Sequence, residues 1–200
     1  MKIASIWNPK GGQGKSMISI NLAAAAVEIG LKPIVIDRDE QGTSMLYYQA
    51  GNLPFPVLPN YPKNAPDVDL VLVDHMANDR DIPAPPLLVI PVMPKRSQYA
   101  AYVEALKHAE DANKQIITIV TNGDMRRNQE KAVVMALKQR GAFEIRASGV
   151  FSRADNKYQT IFNPELNSAY MIRERRNEFA AALSAVLQNQ QIKEKAHATV

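Results

Sequence analysis

The 200-residue chain contains no cysteine. Disulfides, thiolate zinc sites, cysteine-ligated iron–sulfur clusters and cysteine nucleophiles are therefore excluded. Histidine is almost as scarce. His75, His108 and His197 lie far apart and form no HExxH spacing, which argues against a zinc hydrolase. No apolar run approaches the roughly 18 residues that cross a bilayer. The opening stretch Met1–Trp7 is too short for a signal peptide. No segment is a repeat or of low complexity. The remaining composition is 46% apolar, 22% charged and 6% aromatic, which is that of an ordinary globular protein. A cytoplasmic location is the expectation.

The net charge of +4 is unevenly placed. Residues 1–100 hold 9 basic and 9 acidic side chains, and residues 101–200 hold 15 and 11. Between Arg126 and Arg176 the count is 11 against 5. A basic half suggests an anionic partner such as nucleic acid, and a solvated surface is the alternative. The candidate DNA contacts are Arg126, Arg127, Lys131, Arg153, Lys157, Arg173, Arg175 and Arg176.

Continuous apolar runs at Lys2–Trp7, Pro33–Ile36, Asp69–Val73, Leu87–Val92 and Ile116–Thr121 predict strands buried on both faces, with a sixth at Arg146–Phe151. Helical spacing recurs in Ser16–Ile29, Gln98–Ala112, Asn128–Arg140 and Glu174–Gln188. Strands alternating with helices predict an α/β fold: a doubly wound, mainly parallel sheet with helices on both faces. The proline-rich stretch Gly51–Pro66 is read as an irregular connection, and Ile82–Pro86 as a second proline-rich loop. One domain over residues 1–191 and a polar tail over 192–200 complete the expected organisation.

Asn8-Pro9-Lys10-Gly11-Gly12-Gln13-Gly14-Lys15-Ser16 falls between the first strand and the first helix. Glycines there let successive amides turn inward on a phosphate chain, and the helix N-terminus adds positive charge. Lys15 is placed to reach β- and γ-phosphates, and the Ser16 hydroxyl to ligate magnesium. Pro9 stands where the general P-loop has its first glycine, and Lys10 is an additional lysine.

The variant K-G-G-x-G-K-S resembles the deviant Walker A loop of the ParA/MinD ATPases. That resemblance implies the P-loop NTPase fold, ATP and Mg2+ as cofactors, and a nucleotide-sandwich homodimer formed with ATP, across which Lys10 reaches the partner's nucleotide. It makes Lys10, Lys15 and Asp39 the catalytic residues, with Asp39 orienting the attacking water. It makes Lys10, Gly11, Gly12, Gln13, Gly14, Lys15, Ser16, Met17 and Asn122 the nucleotide-binding set. Ile34-Val35-Ile36-Asp37-Arg38-Asp39-Glu40-Gln41 resembles the family's D-x-D-P-Q segment, with Glu40 in place of proline. Leu70–Asp74 resembles Walker B, so Ser16, Asp37 and Asp74 are the implied magnesium residues. After Asp74 the chain runs His75-Met76-Ala77-Asn78-Asp79, where the family has Thr-Pro-Pro-Gly or similar. Val89-Ile90-Pro91-Val92-Met93-Pro94 resembles a further family strand. Asn122 either contacts adenine, as in relatives, or starts a turn with Gly123. The absence of N-K-x-D argues against guanine.

The resemblance implies a small ParA-type partition ATPase, associated with the nucleoid, that binds DNA without sequence preference. A ParB-like adaptor would stimulate its slow hydrolysis. A MinD-like or conjugation-accessory ATPase, or a nucleotide-binding module with weak hydrolysis, are the alternatives. The apolar stripe Phe179–Leu187 stops before a polar tail, which disfavours a membrane helix.

Overall fold

A computed structural model describes residues 1–62 and 67–188. The expected polar tail at 192–200 lies outside the described residues. The chain order is β1 (Lys2–Ile6), α1 (Lys15–Glu28), β2 (Pro33–Asp37), α2 (Thr43–Gln49), β3 (Val57–Leu58), β4 (Leu70–Asp74), β5 (Leu87–Val92), α3 (Arg96–Asp111), β6 (Gln115–Thr121), α4 (Asn128–Gln139), β7 (Phe143–Ile145), α5 (Gly149–Asp155), a 3-10 turn (Pro164–Leu166) and α6 (Ile172–Gln188). The strands form one seven-stranded parallel sheet in the order β3-β2-β4-β1-β5-β6-β7.

β2, β4 and β5 are buried along their whole length, in keeping with their unbroken apolar runs. In α1, Leu22 is followed by four successive alanines, Ala23 to Ala26, all buried. These small side chains let the helix lie close against the sheet and against α6. Gly30, at φ +81°, turns the chain out of α1 in the left-handed conformation glycine tolerates. On the other face, Trp7, Tyr102, Ala105, Val134 and Leu137 pack α3 and α4 on Leu88, Ile90 and Val120.

The apolar stripe of α6 is core. Phe179, Leu183 and Val186 are buried, and the Phe179 ring lies 6.2 Å from Phe151 and 6.4 Å from Phe162. Among the described residues no helix is long and apolar enough to cross a membrane.

Two local expectations are revised, and one short helix is unexpected. The sixth strand is not Arg146–Phe151 but β7, which ends at Ile145. Ser148 then accepts a hydrogen bond from the Val150 amide and starts α5, so a capping residue ends the strand-like apolar run. The described part of the connection, residues 51–62, is irregular but contains β3, a two-residue edge strand between Pro56 and Pro59. The short helix α2 is not legible from periodicity, since at seven residues it spans about two turns.

Phe179→Ala should destabilise the fold by about 3–5 kcal/mol, the usual cost of emptying a large buried aromatic site. Urea unfolding measures this, and a loss below about 1 kcal/mol would mean α6 is not part of the core.

Candidate functional site

The order in which strands are added to the sheet switches sides at β1. β4 lies on one side of it and β5 on the other, and ligands of such sheets bind beyond the carboxyl ends of the strands at this point. The loop Asn8–Gly14 leaves β1 at that edge and runs into α1. Gly12 and Gly14 have φ of +74° and +87°, left-handed values that turn their peptides toward the helix axis. No side chain caps the N-terminus of α1, so its first amides remain open to an anion.

The loop is held from below by buried side chains. Asn8 Nδ2 donates to the Pro91 carbonyl at 2.9 Å, while its Oδ1 accepts from the Lys10 amide at 2.9 Å. Gln13 is 1% exposed. Its Oε1 accepts from the Met93 amide at 2.8 Å and its Nε2 donates to the Gln98 carbonyl at 3.3 Å. Thr121 Oγ1 donates to the Gln13 carbonyl at 3.0 Å. The Gln13 side chain thus faces inward, and only its backbone is available to a ligand. Lys10 stands on the exposed rim of the loop.

Beneath the loop, three charges are buried together. Asp37 and Asp74 are register partners at the ends of β2 and β4, and Asp74 is also level with Ile6 of β1. Asp37 accepts amide hydrogen bonds from Asp39 at 3.1 Å and Met45 at 2.8 Å. Asp74 is fully buried; its Oδ2 accepts from Ser44 Oγ at 2.8 Å, and its Oδ1 has no hydrogen-bond partner among the described residues. Burial pushes the Asp74 carboxyl up to about 6, against the opposing effect of the Ser16 and Ser44 hydroxyls. Burial also raises Asp37, whose amide partners partly offset it. Lys15 is held below the ordinary lysine range by burial, opposed by Asp74 and then Asp39. Asp39 is half-buried, and its Oδ1 accepts from the Gln41 amide at 3.0 Å.

Among the described residues no three acidic or histidine side chains converge into a metal cage. The oxygens of Asp37, Asp74 and Ser16 suit instead a hard cation that completes its shell with water and phosphate oxygens, and the orphaned Oδ1 of Asp74 is an acceptor suited to such a partner.

The segment after Asp74, which departs from the family pattern, is docked on the loop. The Asn78 amide donates to the Pro9 carbonyl at 2.8 Å, and Trp7 Nε1 donates to the Asp79 carbonyl at 3.0 Å. His75 lies with Nε2 3.1 Å from Ser5 Oγ and Nδ1 3.5 Å from Asp79 Oδ2. Burial lowers its pKa. Ser44, Asn8 and the inward role of Gln13 are not evident from the sequence. Their patterns are common ones, and only the fold brings them beside Asp74 and Met93.

Asn122 directly follows β6 in the left-handed conformation, at φ +52°, on an open cleft of about 300 Å³ that also touches Gly12, Gly14 and Met17. Gly123 follows because a Cβ there would lie 3.0 Å from Val134 and 3.2 Å from Pro94.

The candidate DNA arginines do not form one surface. Arg153 and Arg173 are exposed. Arg126 and Arg127 are exposed but engaged with Asp124, and Arg127 also with Glu130. Lys157, also exposed, pairs with Glu165 at 2.7 Å. Arg175 is 3% exposed; its Nη1 donates to the Arg146 carbonyl at 3.1 Å and its Nη2 lies 3.0 Å from Glu178. Half-buried Arg176 donates to the carbonyls of Ile161 and Asn163. The expectation that Arg175 and Arg176 face DNA is corrected: both guanidinium groups hold α6 to its neighbouring loops.

A glycine loop at the switch point of a parallel sheet, over one buried lysine and two strand-end aspartates, defines a P-loop nucleotide-binding protein. Residues 4–161 match the CobQ/CobB/MinD/ParA nucleotide binding domain, and the chain belongs to that family. The fold is similar to that of the MinD cell division protein of Aquifex aeolicus, with a TM-score of 0.71 and 17% identity over 92% of this chain and 98% of that one. A putative plasmid partition protein of Borrelia burgdorferi, bound to AMPPNP, aligns with a TM-score of 0.68 and 17% identity, covering 94% and 99%. The septum site-determining protein MinD of Pyrococcus horikoshii, complexed with Mg-ADP, gives 0.68 and 16%, covering 96% and 98%. No curated protein matches the sequence.

The burial of Asp74 has a pH signature. Between about pH 4 and pH 6 the folded chain keeps a proton that the unfolded chain has released, so this group's contribution to stability falls as pH rises through that window. Asp74→Asn should therefore stabilise the nucleotide-free protein at pH 7 by about 1–3 kcal/mol, and by much less at pH 4. Urea unfolding of both proteins at the two pH values, with chelator present, measures the difference. Equal stability at pH 7 would show that the buried charge carries no penalty.

Proposed function

We propose that the protein is a magnesium-dependent ATPase of the ParA type, which dimerises on ATP and binds DNA without sequence preference. The observation that carries this reading is the buried group of Lys15, Asp37 and Asp74 directly under a loop that offers a second lysine, Lys10. An ordinary P-loop needs only one lysine, and an exposed second one suits an anion beyond its own loop.

In this reading the amides from Gly11 to Ser16 and the Lys15 ammonium bind the β- and γ-phosphates of ATP, and Met17 and Asn122 border the nucleoside. Ser16, Asp74 and Asp37 would hold the magnesium ion, which would supply charge neutralisation to the phosphates. Asp39, fixed by the Gln41 amide, orients a water in line with the γ-phosphorus. The water oxygen bonds to phosphorus as the bond to the β–γ bridging oxygen breaks, giving ADP and inorganic phosphate. Lys15 and the partner's copy of Lys10 stabilise the charge on the transferring oxygens. Hydrolysis without a partner is slow, because a switch that hydrolyses quickly cannot hold its state.

The contacts linking Asn78 to Pro9 and Trp7 to Asp79 support a second switch that responds to the loop despite its unusual sequence. A ParB-like DNA-binding adaptor is the partner that fits this cycle, with DNA held by Arg126, Arg127, Lys131, Arg153 and Arg173. Two aligned protomers double the number of phosphate contacts, so DNA binding follows ATP binding.

Lys15→Ala is expected to abolish ATP binding or hydrolysis in a calorimetric and phosphate-release assay; unchanged affinity contradicts the assignment. Light scattering on Asp39→Ala, slowed in hydrolysis, should give a dimer with ATP and a monomer with ADP, and Lys10→Ala should stay monomeric. Equal mass in both nucleotide states contradicts the sandwich.

Charge reversal of Arg153 and Arg173 to Glu should weaken DNA binding at low salt and reduce the log–log salt slope by about 0.9 for each phosphate no longer neutralised. Unchanged DNA affinity, with ATP binding intact, would make the basic excess a solvated surface.

A further inference from the structure

The phosphate loop leaves a large part of the carboxyl edge unexplained. The cleft of about 300 Å³ that begins at Gly12 and Gly14 ends against Asn122 and the loop at 146–148. A second cleft, of about 630 Å³, shares Asn122, Arg146, Ala147 and Ser148 as its wall and extends to Met125 and Tyr170. The first cleft runs on from the phosphate loop, so a nucleoside whose phosphates sit at the head of α1 can extend along it to the boundary between the two clefts.

Tyr170 stands on the far bank of the second cleft. It is 86% exposed, well above any other large apolar side chain among the described residues. Its neighbour Met171 has φ +58°, a left-handed conformation that is strained for a residue with a side chain. Asn122, on the near bank, is left-handed as well. Ala169 and Ile172 are buried on either side of the Tyr170–Met171 pair, so the segment is anchored while the ring is held out in solvent.

The two banks are tied together. Arg175 of α6 donates to the Arg146 carbonyl at 3.1 Å. Glu178, also of α6, accepts from the Arg146 amide at 3.0 Å and from its Nε at 2.6 Å. Tyr170 precedes α6 by two residues and is therefore positioned by the element that braces the 146–148 wall. A two-torsion aromatic side chain on an anchored loop loses little entropy when a flat ligand covers it. Met125, 39% exposed and lining the same cleft, supplies a polarisable sulfur.

The geometry points to Tyr170 as a base-positioning residue: its ring stacks on the nucleobase of the bound nucleoside triphosphate, with Met125 against the edge of that base. This rests on the ATP-binding reading above and adds to it a determinant of base recognition separate from the phosphate loop. Stacking favours purines, which offer the larger π-face.

The test separates base from phosphates. The full chain, as wild type, Tyr170→Ala and Tyr170→Phe, is titrated calorimetrically with magnesium ATP and with magnesium tripolyphosphate. Tyr170→Ala should weaken ATP binding by roughly 5- to 100-fold, the range that loss of one base–aromatic stack produces. Tyr170→Phe should stay near wild type, and tripolyphosphate affinity should be the same in all three proteins. Wild-type ATP affinity in Tyr170→Ala overturns the proposal. Equal losses for ATP and tripolyphosphate also overturn it, since Tyr170 would then act on the fold. If wild type binds neither probe, the ATP reading itself fails; if it binds both and Tyr170→Ala changes nothing, only this inference does.

Discussion

Burying opposite charges without fully pairing them is the constraint around which this edge of the molecule is built. Asp74, Asp37 and Lys15 all lie at the carboxyl ends of parallel strands or the head of α1, largely out of contact with bulk water. Burial raises both carboxyls and lowers the lysine, so each charged form is disfavoured in the free protein. An unpartnered carboxylate oxygen on Asp74 adds to that penalty. In the proposed function, the nucleotide's phosphates and magnesium relieve all three groups at once, so that the cost of burying these charges contributes to affinity.

The surrounding polar contacts serve that arrangement. Asn8 and Gln13 are buried polar residues whose hydrogen bonds fasten the glycine loop to β5 and to the first turns of α3. Ser44 and the Met45 amide fasten α2 to the two aspartates. Tyr47, on the same helix, donates a hydrogen bond to Asp155 of α5. Gln13 thus links the glycine loop to α3, and Ser44 links Asp74 to α2.

Much of this is legible in the chain because the informative patterns are local. The loop Lys10–Ser16 sits between an apolar strand and a helical pattern, and the apolar runs before Asp37 and Asp74 end where buried parallel strands must end. What cannot be read depends on contacts distant in sequence. Arg175 belongs to the same basic stretch as Arg173, yet helical geometry turns one into the interior and leaves the other in solvent. Ser148 converts an expected strand into a helix start by one hydrogen bond. Tyr170 and Asn122 lie 48 positions apart in the numbering and share a cleft only because α6 folds back beside β7.

In the proposed function the buried charges find all their partners when nucleotide and magnesium are bound together. Thermal unfolding of the wild-type protein with magnesium ATP, with magnesium alone, and with ATP plus chelator tests this directly. A ligand at 100 times its dissociation constant stabilises the folded state by about 2.7 kcal/mol. Magnesium ATP should raise the midpoint by several degrees, chelated ATP by less, and magnesium alone by little. An unchanged midpoint with saturating magnesium ATP would contradict the account.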